Sequence, residues 1–158
     1  MRSSIELWLR FLWFALRALI SFRSPLAIDE NDVLAKALFS GHTKKSGALK
    51  VNAFLINDKS EYGISVHRWS LAPARLFLSL GLEAARWRGT NFKGFAEFNA
   101  SVLSSIVPDD GWKLVAKGVP TLGDAFHADI LLPRDKGEDY YLFIASEFVR
   151  KATPVLHQ

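Results

Sequence analysis

The chain contains no cysteine. This absence excludes a disulfide framework, a thiolate nucleophile and a zinc site with cysteine ligands. It fits a reducing compartment, in which disulfides are rare. Internal repeats and low-complexity tracts are also missing from the sequence.

Familiar catalytic motifs are absent as well. The sequence has no H-E-x-x-H, no G-x-S-x-G and no phosphate-binding glycine loop, since residues 41–47 (GHTKKSG) lack the G-x-x-x-x-G-K-[ST] spacing. A metal site needs three or four ligands, and only a forced grouping of His42, His127 and Asp129 approaches that number. We therefore predict no metal ion and no cofactor.

The composition is that of a folded domain. Of 158 residues, 49% are hydrophobic and 23% are charged, and five Trp and twelve Phe supply large apolar side chains. The net charge is +4, and the basic residues are spread along the chain except for one local cluster at Lys44, Lys45 and Lys50. Such a mild excess indicates first of all a charged, solvated surface.

Residues 5–22 form the most apolar stretch of the chain. On a helix, its three charged residues Glu6, Arg10 and Arg17 fall within roughly 40° of one another, which leaves one narrow polar stripe. The remaining surface is apolar, and the side chains expected to contact a membrane or a partner are Trp8, Phe11, Leu12, Phe14, Leu19 and Phe22.

The possible locations of this helix differ in their requirements. A transmembrane span needs about 20 apolar residues, more than the sequence provides between its arginines, and a signal peptide needs a cleavage site that is not evident here. An interfacial membrane helix fits its Trp and Arg content. Burial against a partner protein, a second copy of the chain or the chain's own core are the alternatives.

We accordingly predict two parts, a tether at residues 1–24 and a single domain at residues 25–158. The predicted location is cytoplasmic, with the tethered form lying peripherally on the inner face of the membrane. Residues 24–25, Ser-Pro, break the helix between the two parts.

The body of the chain predicts an α+β domain. Helical spacing indicates helices over 29–39, over 73–88 and over 140–152. Gly81 is expected to weaken the second helix slightly, and Gly89 to end it. Strands are predicted at 51–57 and 63–71, joined as a hairpin, and at 92–106, 111–119 and 127–133. The expected fold is a mostly antiparallel sheet of about 4–6 strands, covered on one side by helices.

Acid–base chemistry is one hypothesis for this domain. His42 lies in a lysine-containing loop, His127 begins a predicted strand and Arg68 ends another. Two imidazoles and a cation can cleave a phosphodiester without metal, since one imidazole accepts a proton, the other donates one and the cation stabilises the developing charge. The alternative is that all three have structural or solvated roles.

Aromatic residues beside cations suggest nucleic-acid binding as another hypothesis. Trp87 lies between two arginines at a helix end, and base stacking beside cations is typical of single-strand binding. The alternative is core aromatics next to surface cations. The candidate binding residues are Lys44, Lys45, Arg68, Trp69 and Trp87.

Three short motifs resemble those of a family of small bacterial proteins without an assigned activity. They are K-x-x-A-F at 50–54, S-V-x-R at 65–68 and H-A-x-I at 127–130. The resemblance covers about residues 27–152 of the sequence and implies an architecture but no reaction. It draws attention to His42, Arg68 and His127, and it leaves the N-terminal helix outside as an extension.

The function that the sequence favours is a non-enzymatic binding or accessory module, tethered to a membrane surface or a protein partner through residues 5–22. A metal-independent enzyme acting on phosphodiesters through His42, His127 and Arg68 is the alternative. A nucleic-acid-binding module is the third hypothesis.

Overall fold

Six antiparallel strands form one sheet in the order β4-β5-β2-β1-β3-β6 within the residues that the computed structural model describes, Leu16, 27–56, 63–71, 74–121 and 124–157. The strands are β1 (Val33–Phe39), β2 (Gly63–Arg68), β3 (Phe92–Asn99), β4 (Val115–Gly118), β5 (His127–Leu131) and β6 (Thr153–Leu156). The longer helices are α1 (Ala74–Trp87) and α2 (Glu138–Lys151), and 3-10 helices lie at Val51–Ala53, Trp69–Leu71 and Ala100–Ser105. The α+β class with an antiparallel sheet is thereby confirmed.

Helices pack on both faces of the sheet, rather than on one face as the sequence predicted. On one face, Ile144, Ala145 and Phe148 of α2 share a core with alternate residues of the central strands. On the other face, Phe77 and Ala85 of α1 belong to a second buried cluster. The molecule therefore has a helix, sheet and helix layering, and the central strand β1 is buried on both sides.

The predicted helix over 29–39 is wrong, because residues 33–39 form strand β1. This strand lies between β2 and β3, and both of its faces contribute to a core, so its apolar residues do not alternate. A short, continuous apolar run of this kind cannot be distinguished from a helix by periodicity. Asp29, before the strand, accepts hydrogen bonds from the backbone N–H and the side-chain amide of Asn31 in a turn.

The predicted hairpin of 51–57 with 63–71 is also wrong. Residues 51–53 form a 3-10 turn, closed by a hydrogen bond from the Phe54 N–H to the Val51 carbonyl. Phe54 is 2% exposed, and its ring stacks on Phe148 of α2 with centroids 5.1 Å apart. Burial beneath α2 therefore accounts for the apolar character of this segment, and β2 pairs instead with β1 and β5.

The remaining predicted elements agree better with the structure. Helix α1, strands β3, β4 and β5, and helix α2 are all present, although the segment after β3 turns into a 3-10 helix at Ala100. Strand β6 was not predicted, and it pairs with β3 at the edge of the sheet. Gly94 makes this pairing possible, because its φ is +126° and a Cβ there would lie 2.1 Å from the Val155 carbonyl oxygen.

The predicted tether lies almost wholly outside the described residues, including its six proposed contact residues. Only Leu16 is described, and it is helical and exposed. In the part of the chain that the structure covers, no helix has the length and hydropathy needed to cross a bilayer.

Candidate functional site

Two regions of the domain bring functional side chains together. The first is at the end of the sheet where β1 finishes and α1 ends. We call it the basic end and define it by Lys44, Lys45, Arg86, Trp87 and Arg88. The second, the histidine cluster, lies at the other end of β1 on the side of the sheet that carries α1. It consists of Ser65, His67, Asp124, His127 and Asp129.

Phe39 and Arg88 join the two segments of the basic end. The Arg88 guanidinium carbon lies 5.1 Å from the centroid of the Phe39 ring, in a cation–π contact. The loop that carries the lysines leaves β1 directly after Phe39. Residues that are distant in sequence thus reach the same end of the molecule.

The lysine loop is itself an ordered hairpin. The Lys44 N–H donates to the Ala48 carbonyl at 2.7 Å, and Thr43 and Leu49 form an isolated β-bridge. Gly47 allows the turn, since its φ is +85°. The side chains of Lys44 and Lys45 are both exposed on this turn.

His42 lies at the start of the same loop, and its pKa is affected by the surrounding positive charges. Its Nδ1 accepts a hydrogen bond from the Phe39 backbone N–H at 3.2 Å. Burial, followed by the positive charges of Lys36 and Arg88, lowers the pKa of His42 to about 4. His42 is therefore neutral at pH 7, and the basic end owes its charge to lysine and arginine.

Trp87 is the most exposed aromatic side chain of the described residues, at 89%. It ends α1 between Arg86 and Arg88, which are also exposed.

No acidic residue occurs in 41–50 or in 84–94. The opposite end of β1 is preceded by Asp29, Glu30 and Asp32, so the charges along this strand are segregated.

The other two candidate binding residues lie elsewhere. Arg68 is 3% exposed, and its Nη2 donates to Asp32 Oδ2 at 2.7 Å. Trp69 is half-buried and stacks on Phe77 with ring centroids 4.9 Å apart. Both residues therefore serve the packing of the domain. Of the five candidates, Lys44, Lys45 and Trp87 lie at the same end of the molecule.

The histidine cluster is created by the pairing of β2 with β5, which places His67 opposite His127 and Ser65 opposite Asp129. The His127 ring is 6.4 Å from the His67 ring between centroids. Its Nε2 lies 3.3 Å from Ser65 Oγ and 3.6 Å from Asp129 Oδ1. Neither Ser65 nor His67 is among the predicted site residues, because their pairing with β5 is not encoded locally.

Backbone and carboxylate acceptors orient both imidazoles in the same way. His127 Nδ1 lies 3.0 Å from the Val119 carbonyl oxygen, which can only accept, so this nitrogen carries a proton. His67 Nδ1 lies 2.7 Å from Asp124 Oδ2, a short contact that is off the line expected for an aligned hydrogen bond. In their neutral forms both rings therefore keep their lone pair at Nε2.

Asp124 remains ionised although it is largely buried. Burial alone would raise the pKa of this carboxyl group. The 2.7 Å contact with His67, the hydrogen bond from the Phe126 N–H at 3.0 Å and the proximity of His127 together lower it below the usual value. The ionised carboxylate of Asp124 therefore lies next to Nδ1 of His67.

The structure does not bring together the catalytic candidates His42, His127 and Arg68. Ala35 of β1 is in register with His67 and, across β2, with His127, whereas His42 contacts Phe39. Four residues along the strand and two strand spacings separate Phe39 from His127 by roughly 16 Å. Arg68 follows His67 on β2 and therefore lies on the opposite face of the sheet.

Comparison with known proteins identifies no relative. No family model, curated protein or solved structure matches the chain. Among the described residues, no group of three or more histidine or acidic side chains is arranged to hold a metal ion. The family resemblance of the three short motifs stays a prediction.

Proposed function

We propose that the chain is a binding module that holds single-stranded nucleic acid at its basic end. The exposed indole of Trp87, which lies between Arg86 and Arg88 in the sequence and at the same end of the molecule as the lysine loop, carries this proposal. An aromatic face next to cations fits a stacked base followed by its phosphates.

The exposed apolar area at this end favours nucleic acid over a membrane surface. Besides Trp87, helix α1 exposes only one other large apolar side chain, Leu82 at 40%, among its described residues. An interfacial membrane site buries a broad apolar face, whereas a single stacked base needs only one ring. A single strand is favoured over a duplex because the base must be free to leave its own stack.

The strength of binding follows from the charges and the ring. Non-specific binding of this kind typically has a Kd on the order of 10⁻⁴ to 10⁻⁶ M at physiological salt. Stacking contributes about 1–3 kcal/mol per base, which is about 5- to 150-fold in affinity. Since each phosphate contact to a single strand adds about −0.7 to the slope of log K against log salt, the four cations predict a slope near −3.

Fluorescence anisotropy of a short labelled oligothymidine tests the proposal with the full chain. Trp87→Ala should weaken binding about 5- to 150-fold, and Lys44→Gln combined with Lys45→Gln should reduce the salt slope by about 1.4. Trp112→Ala is the matched control, since Trp112 is 42% exposed and lies in the turn before β4.

Two results would overturn the proposal. One is a chain that does not bind the oligonucleotide at low salt, or that binds it equally well without Trp87. The other is binding to vesicles of anionic lipid, lost in Trp87→Ala, without binding to the oligonucleotide.

A further inference from the structure

The histidine cluster contains a serine that is positioned for activation. Ser65 is exposed on β2, and its Oγ is 3.3 Å from Nε2 of His127. A nucleophile within hydrogen-bond reach of a base, with that base oriented by a third group, is the arrangement that activates serine hydroxyls. The Val119 carbonyl is the third group, because it fixes the proton on Nδ1.

The serine proton has two acceptors within reach. With His127 neutral, Ser65 can donate to Nε2, which has a free lone pair. With His127 protonated, Nε2 becomes a donor and Ser65 can donate only to Asp129 Oδ1, 3.2 Å away. The hydroxyl is therefore poised for proton transfer to the imidazole only when His127 is neutral.

The open sheet face around Ser65 combines negative charge with apolar side chains. Asp124 and Asp129 flank the two imidazoles, and Lys117 is in register with Asp129 on β4. In the next row of the same face, Val115 and Leu131 pair across β4 and β5 and are 54% and 40% exposed. This surface disfavours an anionic ligand and can contact an apolar chain.

From this geometry we infer that Ser65 and His127 form a nucleophile and base that hydrolyse carboxylic esters with an apolar acyl group and an uncharged or cationic alcohol. This activity is separate from the binding proposed for the basic end. It also replaces the phosphodiester chemistry expected for His42 and His127, since the carboxylates oppose a phosphate.

The reaction runs through an acyl-enzyme. Ser65 Oγ attacks the ester carbonyl carbon while its proton passes to His127 Nε2. The bond from that carbon to the alcohol oxygen then breaks, and the imidazolium returns the proton to the leaving oxygen. Water attacks the Ser65 ester with its proton going to His127, and the carboxylic acid departs as Oγ regains a proton.

An alkyl fluorophosphonate is the direct probe for such a serine, applied to the full chain and mapped by mass spectrometry. Labelling forms a bond between Oγ and phosphorus and releases fluoride, with the serine proton going to His127. We expect a single adduct at Ser65 that is absent from Ser65→Ala. In His127→Gln the labelling rate should fall about 10²- to 10⁴-fold, the usual contribution of a general base. Ser104→Ala, an exposed serine on the 3-10 helix after β3, is the matched control.

The pH dependence separates activation from simple exposure. Labelling should rise with pH, because only neutral His127 accepts the serine proton. The titratable and charged groups facing His127 are Asp129, Asp124, His67 and Lys117. The turnover of p-nitrophenyl butyrate should follow the same profile and should be lost in Ser65→Ala.

Absence of an adduct at Ser65 in the folded chain would overturn the inference. So would equal labelling rates for the unmodified chain and His127→Gln, with circular dichroism showing that both are folded. Loss of oligonucleotide binding in the tests above would leave this inference unaffected.

Discussion

Replacing Gly81 by alanine is predicted to destabilise the domain, although alanine is the better helix former. A Cβ at position 81 would lie 2.2 Å from Phe92 Cε2, 2.6 Å from Cζ and 2.7 Å from Cδ2. The Phe92 ring is 8% exposed, and its centroid is 5.1 Å from that of Phe95, so it has little room to move. Gly81 thus allows α1 to approach β3 closely.

The magnitude follows from two opposing effects. Alanine in a helix interior gains about 1 kcal/mol over glycine. Forcing an extra methyl group into a packed core costs about 1–3 kcal/mol, and the short approach places this site in the upper part of that range. The free energy of unfolding should therefore fall by about 1–2 kcal/mol in Gly81→Ala.

Urea denaturation followed by circular dichroism measures this change, provided that the slope with denaturant is unchanged. Phe92→Val removes the aromatic ring, including the three atoms that a Cβ at position 81 would meet. In that background, Gly81→Ala should therefore become stabilising by up to about 1 kcal/mol. The same sign in both backgrounds, or stabilisation with Phe92 intact, would refute the packing argument.

Three further predictions concern charge and the tether. His42 should titrate near pH 4 by NMR. Because the unfolded state then binds the extra proton between about pH 6.5 and pH 4, stability should fall as the pH drops through that range, and His42→Gln should remove this loss. Arg68→Ala should cost about 1.5–3 kcal/mol in urea unfolding, since it removes the charged hydrogen bond to Asp32, which keeps its hydrogen bonds from Ser70 and the Asp29 N–H. Burial alone would raise the pKa of Asp32, but its hydrogen bonds and the charge of Arg68 outweigh this effect and lower the pKa. The Arg68–Asp32 pair should therefore stabilise the native chain at pH values above the ordinary carboxyl pKa. This stabilisation should be lost as the pH falls through the lowered pKa. A chain that begins at Pro25 should stay in the supernatant with anionic liposomes while the full chain pellets, and equal behaviour would contradict the tether.

Local sequence signals predicted those elements whose burial has a clear period. Helix α1 has one buried side and is followed closely by Gly89, whose φ is +61°, and both the apolar side and the glycine are readable from the sequence. Strand β1 is buried on both faces, and this removes the alternation by which a strand is recognised. The 3-10 turn at 51–53 leads directly into Phe54, which fills the core under α2. Only the tertiary structure shows that this burial explains the apolar segment.

The candidate sites depended on pairing between distant segments. The alternation of β2 already predicted that His67 and Arg68 lie on opposite faces, because neighbouring strand residues do so. The contact of Ser65 with His127 required the register of β2 against β5, which no local pattern encodes. Likewise, the end of α1 and the strand that leads into the lysine loop are joined by the packing of Arg88 on Phe39.

Mapping of amide and indole NMR shifts with the full chain tests the central proposal most directly. On titration with oligothymidine at low salt, the largest changes should occur at Lys44, Lys45, Arg86, Trp87 and Arg88, and they should diminish as salt is added. Changes confined to the histidine cluster, or no changes at the basic end, would contradict the account.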